Sequence, residues 1–366
     1  MTQTILIMAG GTGGHVFPGL AVAHEMKTSG WQVIWLGTRA GMENKLVAQY
    51  GYPMETIDFS GLRGKRVLTW LTLPLRLLKA FKQSIAVLRQ IKPDVVLGMG
   101  GYPAFPGGMM ASLLNKPLVI HEQNSVPGLT NKILAKLADK VVLGFPAAIK
   151  TDASKIIVAG NPVRQEIAAI ELPEKRFADR TGPLRLLIVG GSLGAQVFNT
   201  VVPQALKKIP QGRRPVVVHQ AGEKNLDTLR KHYGDLGVDA NLLPFIDDMA
   251  GQYAACDLVL CRAGALTVSE LAAGGVASIL VPYPYAVDDH QTGNARFLSN
   301  NQAAVLLPQP MLNPDKLAEI LMNMTREQLL AMAIAARQSA KPDAAQKVAQ
   351  ICMDLSRESG ESSDET

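Results

Sequence analysis

Two stretches of the chain carry residue types at spacings that do chemistry. GGTGGHVF, residues 10–17, puts four glycines and a histidine directly after an apolar run. A glycine turn between a strand and a helix lets backbone N–H groups approach a ligand, and the helix N-terminus behind it favours negative charge. Glycine also serves tight turns for steric reasons alone, so this loop by itself does not specify a ligand. DLVLCRAGALTVSELAAGG, residues 257–275, is more informative: a strand, a turn at Gly264, and a helix whose first turns hold Thr267, Ser269 and Glu270. Free N–H groups and hydroxyls at that helix start suit a diphosphate, and Glu270 can accept both protons of a ribose diol. Ordinary capping of a buried helix by Thr267 and Ser269 is the competing reading.

Two commoner nucleotide motifs are excluded. The dinucleotide fingerprint needs a third glycine where Val16 stands, and WLGTR after the second apolar run offers no acid for a ribose. No Gly-Lys-Ser/Thr follows the first glycine loop, so it is not the phosphate loop of an NTPase. Cysteines 256, 261 and 352 show no metal-ligand spacing and form no disulfide framework, which fits a reducing cytoplasm. The N-terminus lacks the basic region and cleavage site of a signal peptide.

The elements that must position these motifs follow from the hydropathy pattern. Six β-branched runs precede residue 163 (TILIM, WQVIWLG, DVVLGMG, PLVIHEQ, KVVLGF, KIIVAGNP), and six follow it (RLLIVGG, PVVVHQAG, ANLLPFI, DLVLCRAG, ASILVPY, AAVLLP). Helical intervals separate them, so the pattern predicts two α/β domains with parallel sheets covered on both faces. GGTGG at 10–14 and GGSLG at 190–194 echo each other, each between a strand and a V-F pair. The polar stretch 160–183, with three prolines, reads as the linker. Residues 95–114 carry no charge over a length that could span a bilayer, but five glycines and two prolines favour a strand, a loop and a short helix.

Charge is unevenly placed. Arg63, Lys65, Arg66, Arg76, Lys79, Lys82, Arg89 and Lys92 lie between Asp58 and Asp94 with no acid among them, in a chain of net charge +6. Pro74, Leu77, Leu78, Phe81, Ile85 and Leu88 recur at helical spacing and are expected to pack on the sheet. Trp70, Leu71 and Leu73 beside Arg63, Lys65 and Arg66 suit an anionic membrane interface instead. No base-stacking motif accompanies the basic patch, so nucleic acid is not an expected partner.

The motifs GGTGGHVFPGLAVA, SGLRGK, KPDVVLGMGGYPAFPGG, HEQNSVPGLTNK, GNPVR, IVGGSLGA, FIDDM, CRAGALTVSELAAGG and DDHQTGNA stand in that order between Ile5 and about Asp343. Together they closely resemble the MurG family, bacterial UDP-GlcNAc transferases that convert lipid I to lipid II in peptidoglycan synthesis. The resemblance implies a GT-B fold, two Rossmann-like domains facing each other across a cleft. It predicts an N-terminal domain 1–163 on the acceptor and membrane side, rejoined by a final helix at 342–358. A donor domain follows at 164–341, and 359–366 is expected as a disordered tail.

It further implies that Thr12, Gly13 and Gly14 line the donor and that Asn124 contacts its acetamido end. Arg164 and Ser192 would lie near the nucleotide and its diphosphate, the Ile246 backbone would pair with uracil, and Ala265, Leu266, Thr267, Val268, Ser269 and Glu270 would hold diphosphate and ribose. Gln291 would bond sugar hydroxyls. Leu193 and His290 stand where many members have glutamine. No metal or other cofactor is expected, since the helix start at 265–270 can stabilise the leaving diphosphate and Asp288–Asp289 belong to the sugar motif. His15 is the candidate base, because imidazole titrates near neutrality and a helix N-terminus disfavours its cation; a mere turn-stabilising role is the alternative. Tyr102, His121 and Glu122 stand in reserve for acceptor positioning or proton relay. Inversion at the anomeric carbon, a peripheral place on the cytoplasmic face of the inner membrane, and other cell-wall synthesis proteins as partners are further implications. A UDP-GlcNAc 2-epimerase of the same fold and a non-catalytic UDP-sugar sensor are the other functions considered.

Overall fold

The computed structural model describes residues 2–59, 72–191 and 194–364. The chain divides into two compact units, Met1–Arg164 with Pro342–Thr366, and Gln165–Lys341.

In the first unit, β1 (Thr4–Ala9), β2 (Gln32–Thr38), β3 (Met54–Ile57), β4 (Val95–Gly100), β5 (Leu118–Glu122), β6 (Lys140–Leu143) and β7 (Ile156–Val158) form one sheet in the order β3-β2-β1-β4-β5-β6-β7. Every pairing is parallel. All residues of β1 and β4 are buried, because helices cover both faces. Alternation along β1 sends Ile5 and Ile7 into a core shared with the helix Gly13–Thr28 and the C-terminal helix, and Leu6 and Met8 into a core under the helices Leu73–Ile91 and Ala104–Leu113. The uncharged segment 95–114 is thus strand, loop and helix. Among the described residues no helix is long and apolar enough to cross a membrane.

The second unit holds β8 (Arg185–Val189), β9 (Val216–Gln220), β10 (Asn241–Leu243), β11 (Leu258–Cys261), β12 (Ser278–Leu280) and β13 (Ala304–Leu306) in the parallel order β10-β9-β8-β11-β12-β13. Both sheets reverse their winding direction once, between β1 and β4 and between β8 and β11. In an open α/β sheet a ligand crevice opens at the strand C-termini of such a switch point. The glycine loops at 10–14 and 190–194 leave β1 and β8 there, and Gly264 follows β11.

Four sequence expectations need correcting. The edge strand β3, METI, lacks a β-branched run and pairs on one side only, so it escaped notice. The supposed linker 160–183 is mostly part of the second unit: the helices Gln165–Ala168 and Pro173–Ala178 bury Ile167 and Phe177, and Arg180 pairs with the buried Asp257 at 2.5 Å. On the helix Leu73–Ile91 the buried face runs through Ala80, Ser84, Val87 and Leu88, while Pro74 and Leu78 face out. Small side chains let this helix approach Ala104–Leu113, with Phe81 and Phe105 ring centroids 6.2 Å apart, while Phe81, Ile85 and Leu88 of the expected stripe do pack on the core. The C-terminal helix, Ala344–Asp364, continues past the expected limit at 358, since only Gly360 interrupts an otherwise helix-compatible run.

Candidate active site

In the first unit the candidate residues start from the glycine loop. Gly11, at φ +93°, turns the chain out of β1, and Thr12 enters the helix in extended conformation with no side-chain cap. The N–H groups of His15 and Val16 both donate to the Thr12 carbonyl, at 3.1 and 3.2 Å, so those of Gly13 and Gly14 precede the helical ladder and point out of its end. Glu43, fully buried, holds the loop: its carboxylate accepts from Gly11 N–H (3.2 Å), Thr38 N–H (2.9 Å) and Thr38 Oγ1 (2.7 Å). Gly101, at φ +81°, lies so close to Gly10 that a Cβ would overlap the Gly10 carbonyl. The missing Cβ of Gly100 makes room for the His15 ring, 3.0 Å from where it would stand. Tyr102, 42% exposed, sets its ring beside Gly11.

His15 is half-buried, and its Nδ1 lies 2.9 Å from Gln123 Oε1. Gln123 Nε2 donates to the Met99 carbonyl at 2.8 Å and meets His121 Nδ1 at 3.1 Å; His121 Nε2 donates to the Gly160 carbonyl at 2.9 Å. Burial pushes the His121 pKa down to about 4, so its ring is neutral at pH 7. Glu122 is nearly buried: Oε1 accepts from Asn124 N–H and Oε2 from Gly128 N–H and Asn131 Nδ2, at 2.9, 3.0 and 2.9 Å. Those bonds staple the loop after β5. Both reserve candidates therefore face inward; Tyr102 alone of the three is substantially exposed. Asn124 donates to Glu122 Oε1 from its N–H and from Nδ2, at 2.9 and 3.3 Å, and the Arg164 guanidinium lies over the ring of Phe17, in the first turns of the helix Gly13–Thr28, at 5.7 Å.

In the second unit the helix Ala265–Gly274 has Gly264 as N-cap, with no side-chain cap. Ser269 Oγ donates backwards to the Ala265 carbonyl at 3.0 Å, the bond of a hydroxyl inside a helix. Val268 N–H, donating to the Gly264 carbonyl at 2.9 Å, begins the ladder. The N–H groups of Ala265, Leu266 and Thr267 therefore point out of the helix end at the β8/β11 switch point. Glu270, one turn on, is nearly buried. The Ile246 side chain is buried, while its backbone N–H and C=O find no partner among the described residues.

Gln291 opens the helix His290–Ser299 and accepts from Tyr283 N–H through Oε1 at 2.9 Å, which turns its Nε2 outward. His290 Nδ1 bonds the Val287 carbonyl at 2.7 Å and so supports the turn. Asp288 and Asp289 both take left-handed φ, and Asp289 accepts from Thr292 Oγ1 at 2.7 Å. Among the described residues no cluster of three or more metal-ligating side chains occurs.

Ser192, Leu193, Arg63, Lys65, Arg66, Trp70 and Leu71 lie outside the described residues. Leu73 begins its helix half-buried, and just beyond it Leu75 and Leu78 are 71% and 52% exposed. Three residues that sequence reasoning left without a role are structurally central. Glu43 and Gln123 support the glycine loop and His15. Arg262, between the Phe198 and Tyr283 rings, bonds the Val281 and Pro282 carbonyls and Gln309, tying the loop after β11 to that after β12. Gln123 and Arg262 left a signal, as parts of HEQN and CRAGAL, and Glu43 left none.

Two Rossmann-like units, each with a helix start or glycine loop at its switch point, define the class of GT-B glycosyltransferases. Residues 5–143 match the glycosyltransferase family 28 N-terminal domain and residues 185–348 its C-terminal domain. The chain belongs to that family and, within it, to the UDP-N-acetylglucosamine–N-acetylmuramyl-(pentapeptide) pyrophosphoryl-undecaprenol N-acetylglucosamine transferases. The relative of that name from Nitrosospira multiformis is 63% identical over 97% of this chain and 99% of its own. The one from Nitrosomonas europaea is 61% identical over 97% and 100%. The crystal structure of Acinetobacter baumannii MurG matches at a TM-score of 0.83 and 40% identity, covering 96% of this chain and 99% of that one.

Proposed function

We propose that this chain transfers GlcNAc from UDP-GlcNAc to lipid I, giving lipid II, by a single inverting displacement. Identity of 63% along nearly the whole length of a relative so named carries the reading. It also disfavours the epimerase, which would need the donor site but no lipid acceptor. The reaction requires a stabilised leaving diphosphate and a base for the acceptor hydroxyl, and each unit supplies one.

In this reading the outward N–H groups of Ala265, Leu266 and Thr267 bind the diphosphate, whose charge grows as the C1–O bond breaks. Glu270 takes the ribose hydroxyls, the Ile246 backbone the uracil, Gln291 Nε2 the sugar hydroxyls, and Asn124 the acetamido group. Thr12, Gly13 and Gly14 line the donor, and Arg164 lies near the nucleotide. His15 Nε2 takes the proton of the attacking hydroxyl, while Tyr102 orients the acceptor. The diphosphate is held by backbone dipoles, so the mechanism calls on no metal.

His15→Ala tests this. Turnover of labelled UDP-GlcNAc with a short-chain lipid I analogue should fall by roughly 10²- to 10⁴-fold, the contribution of a general base, while UDP affinity stays the same. Near-normal turnover removes His15 as the base. Product without lipid I would favour the epimerase, and binding without product the sensor.

Because lipid I is membrane-anchored, we infer a peripheral site on an anionic bilayer at the cytoplasmic face. Leu75 and Leu78 are exposed on the helix Leu73–Ile91, in a segment whose charges are all basic between Asp58 and Asp94. Aliphatic side chains among cations suit the headgroup boundary.

A further inference from the structure

We propose that Gln123 is a positioning residue that fixes the neutral His15 ring as its Nδ1–H tautomer, so that the lone pair of Nε2 is the one offered to substrate. The argument rests on the reading of His15 as the base, and it runs outward from a group that cannot change its role. The Gly160 carbonyl can only accept, so His121 Nε2, 2.9 Å away, carries a proton. The ring is completely buried and neutral, which makes His121 Nδ1 an acceptor.

Gln123 presents Nε2 to that nitrogen at 3.1 Å and to the Met99 carbonyl at 2.8 Å, with the His121 carbonyl also at 3.3 Å. Three acceptors surround Nε2, so the amide is not free to flip: an oxygen in that place would face lone pairs only. Oε1 is therefore the atom 2.9 Å from His15 Nδ1, and that contact is a hydrogen bond only if Nδ1 donates. Among the described residues His15 Nε2 has no hydrogen-bond partner, and a neutral ring protonated on Nδ1 has its lone pair there. Gly100 completes the constraint, since the ring lies against the space where a Cβ would stand.

The chain from Gly160 through His121 and Gln123 thus does for His15 what a buried carboxylate does for the histidine of a hydrolase triad, with a difference. A carboxylate also stabilises the imidazolium, whereas an amide sets the tautomer and adds no charge. In water the Nε2–H form of a histidine side chain is the commoner one, so without Gln123 the lone pair would favour Nδ1, turned toward residue 123.

Long-range ¹H–¹⁵N NMR of the full-length protein, with His15 assigned by its loss in His15→Ala, reads the tautomer directly. The wild type should show Nδ1–H. Gln123→Leu should move His15 to Nε2–H and lower kcat by roughly 10- to 100-fold, a part of what a general base contributes, with KM for UDP-GlcNAc unchanged. An Nε2–H signal in the wild type, or a Leu variant with its tautomer unmoved, overturns the proposal. If the Leu variant does not fold, Gln123→Met, likewise without an acceptor for Nδ1–H, takes its place, and the wild-type spectrum decides independently of either. A tautomer switch together with a fully active His15→Ala leaves the positioning role standing and removes the base assignment instead.

Discussion

Replacing Glu43 by Gln should uncouple the glycine loop from the sheet that carries it. The carboxylate serves three donors, Thr38 N–H and Oγ1 through Oε1 and Gly11 N–H through Oε2. One amide oxygen can keep the Thr38 pair. The NH2 group must then face the Gly11 N–H, donor against donor, in a pocket walled by Gly10, Gly37 and Gly41, where a Cβ would already crowd the carboxylate. An unpaired buried donor costs about 1–3 kcal/mol, and the two retained bonds weaken with the loss of charge, so destabilisation of about 3 kcal/mol is expected.

The molecule provides a selective probe. Its three tryptophans, Trp31, Trp35 and Trp70, all belong to the first unit, and Trp35, fully buried, donates from Nε1 to the Ala9 carbonyl at 2.9 Å, just before the loop. Tryptophan fluorescence in a urea titration therefore follows that unit alone. Glu43→Gln should lower its stability by the stated amount and reduce kcat/KM roughly tenfold through misplacement of residues 12–15. Thr38→Val, which removes one donor and leaves Gly11 paired, should cost about 1 kcal/mol and leave kcat/KM alone. A Gln variant with wild-type stability and activity would refute the idea that this carboxylate holds the loop.

Gly101→Ala should destabilise the first unit by about 3 kcal/mol or more, since φ is +81° and the new methyl would overlap the Gly10 carbonyl; the same fluorescence titration reads it. His121 and His219, buried in different units, have pKa values lowered to about 4 and about 3 by desolvation. The unfolded chain binds protons near pH 6.5 that the folded one refuses, so stability is full above that pH and falls as pH drops from about 6.5 toward 4, by roughly 3 kcal/mol per histidine. Urea midpoints by circular dichroism across that range should decline, and flat midpoints would show these rings accessible to protons. Leu75→Glu with Leu78→Glu should weaken cosedimentation with anionic vesicles several-fold, whereas equal loss on neutral vesicles would point to misfolding rather than to a membrane contact.

What the sequence revealed and what it hid have physical explanations. The runs that became β1, β4, β8 and β11 were legible because sheets covered on both faces demand unbroken apolar strands, and the glycine loops were legible because a switch-point turn leaves little choice of residue. METI was not, since an edge strand bonded on one side needs no such run. The helix Leu73–Ile91 had its stripe read correctly at Phe81, Ile85 and Leu88 and wrongly at Pro74 and Leu78: full burial falls at Ala80 and Ser84, where a neighbour approaches closely, which hydropathy does not encode. Helix-start chemistry at 265–270 was readable, whereas the bond from Ser269 back to Ala265 depends on the helix having formed. Glu43 was invisible because its donors, at 11 and 38, become neighbours only after β1 and β2 have paired. Gln123 stood in a quoted motif, but its role depends on where the Met99 and Gly160 carbonyls fall.

The discontinuous first unit has a consequence for how the chain is made. Residues 1–164 leave the ribosome first, yet the core beneath the helix Gly13–Thr28 is closed by Val348, Ala349, Cys352 and Leu355 of the last helix. Residues 165–341 emerge in between and contain everything their own unit needs, so the second unit completes itself while the first still waits. At ordinary synthesis rates that wait is roughly 10–35 s. Throughout it an apolar face that the finished protein covers stands open, and a stop codon between residues 165 and 343 leaves that face bare in a half of the protein whose first 164 residues are intact.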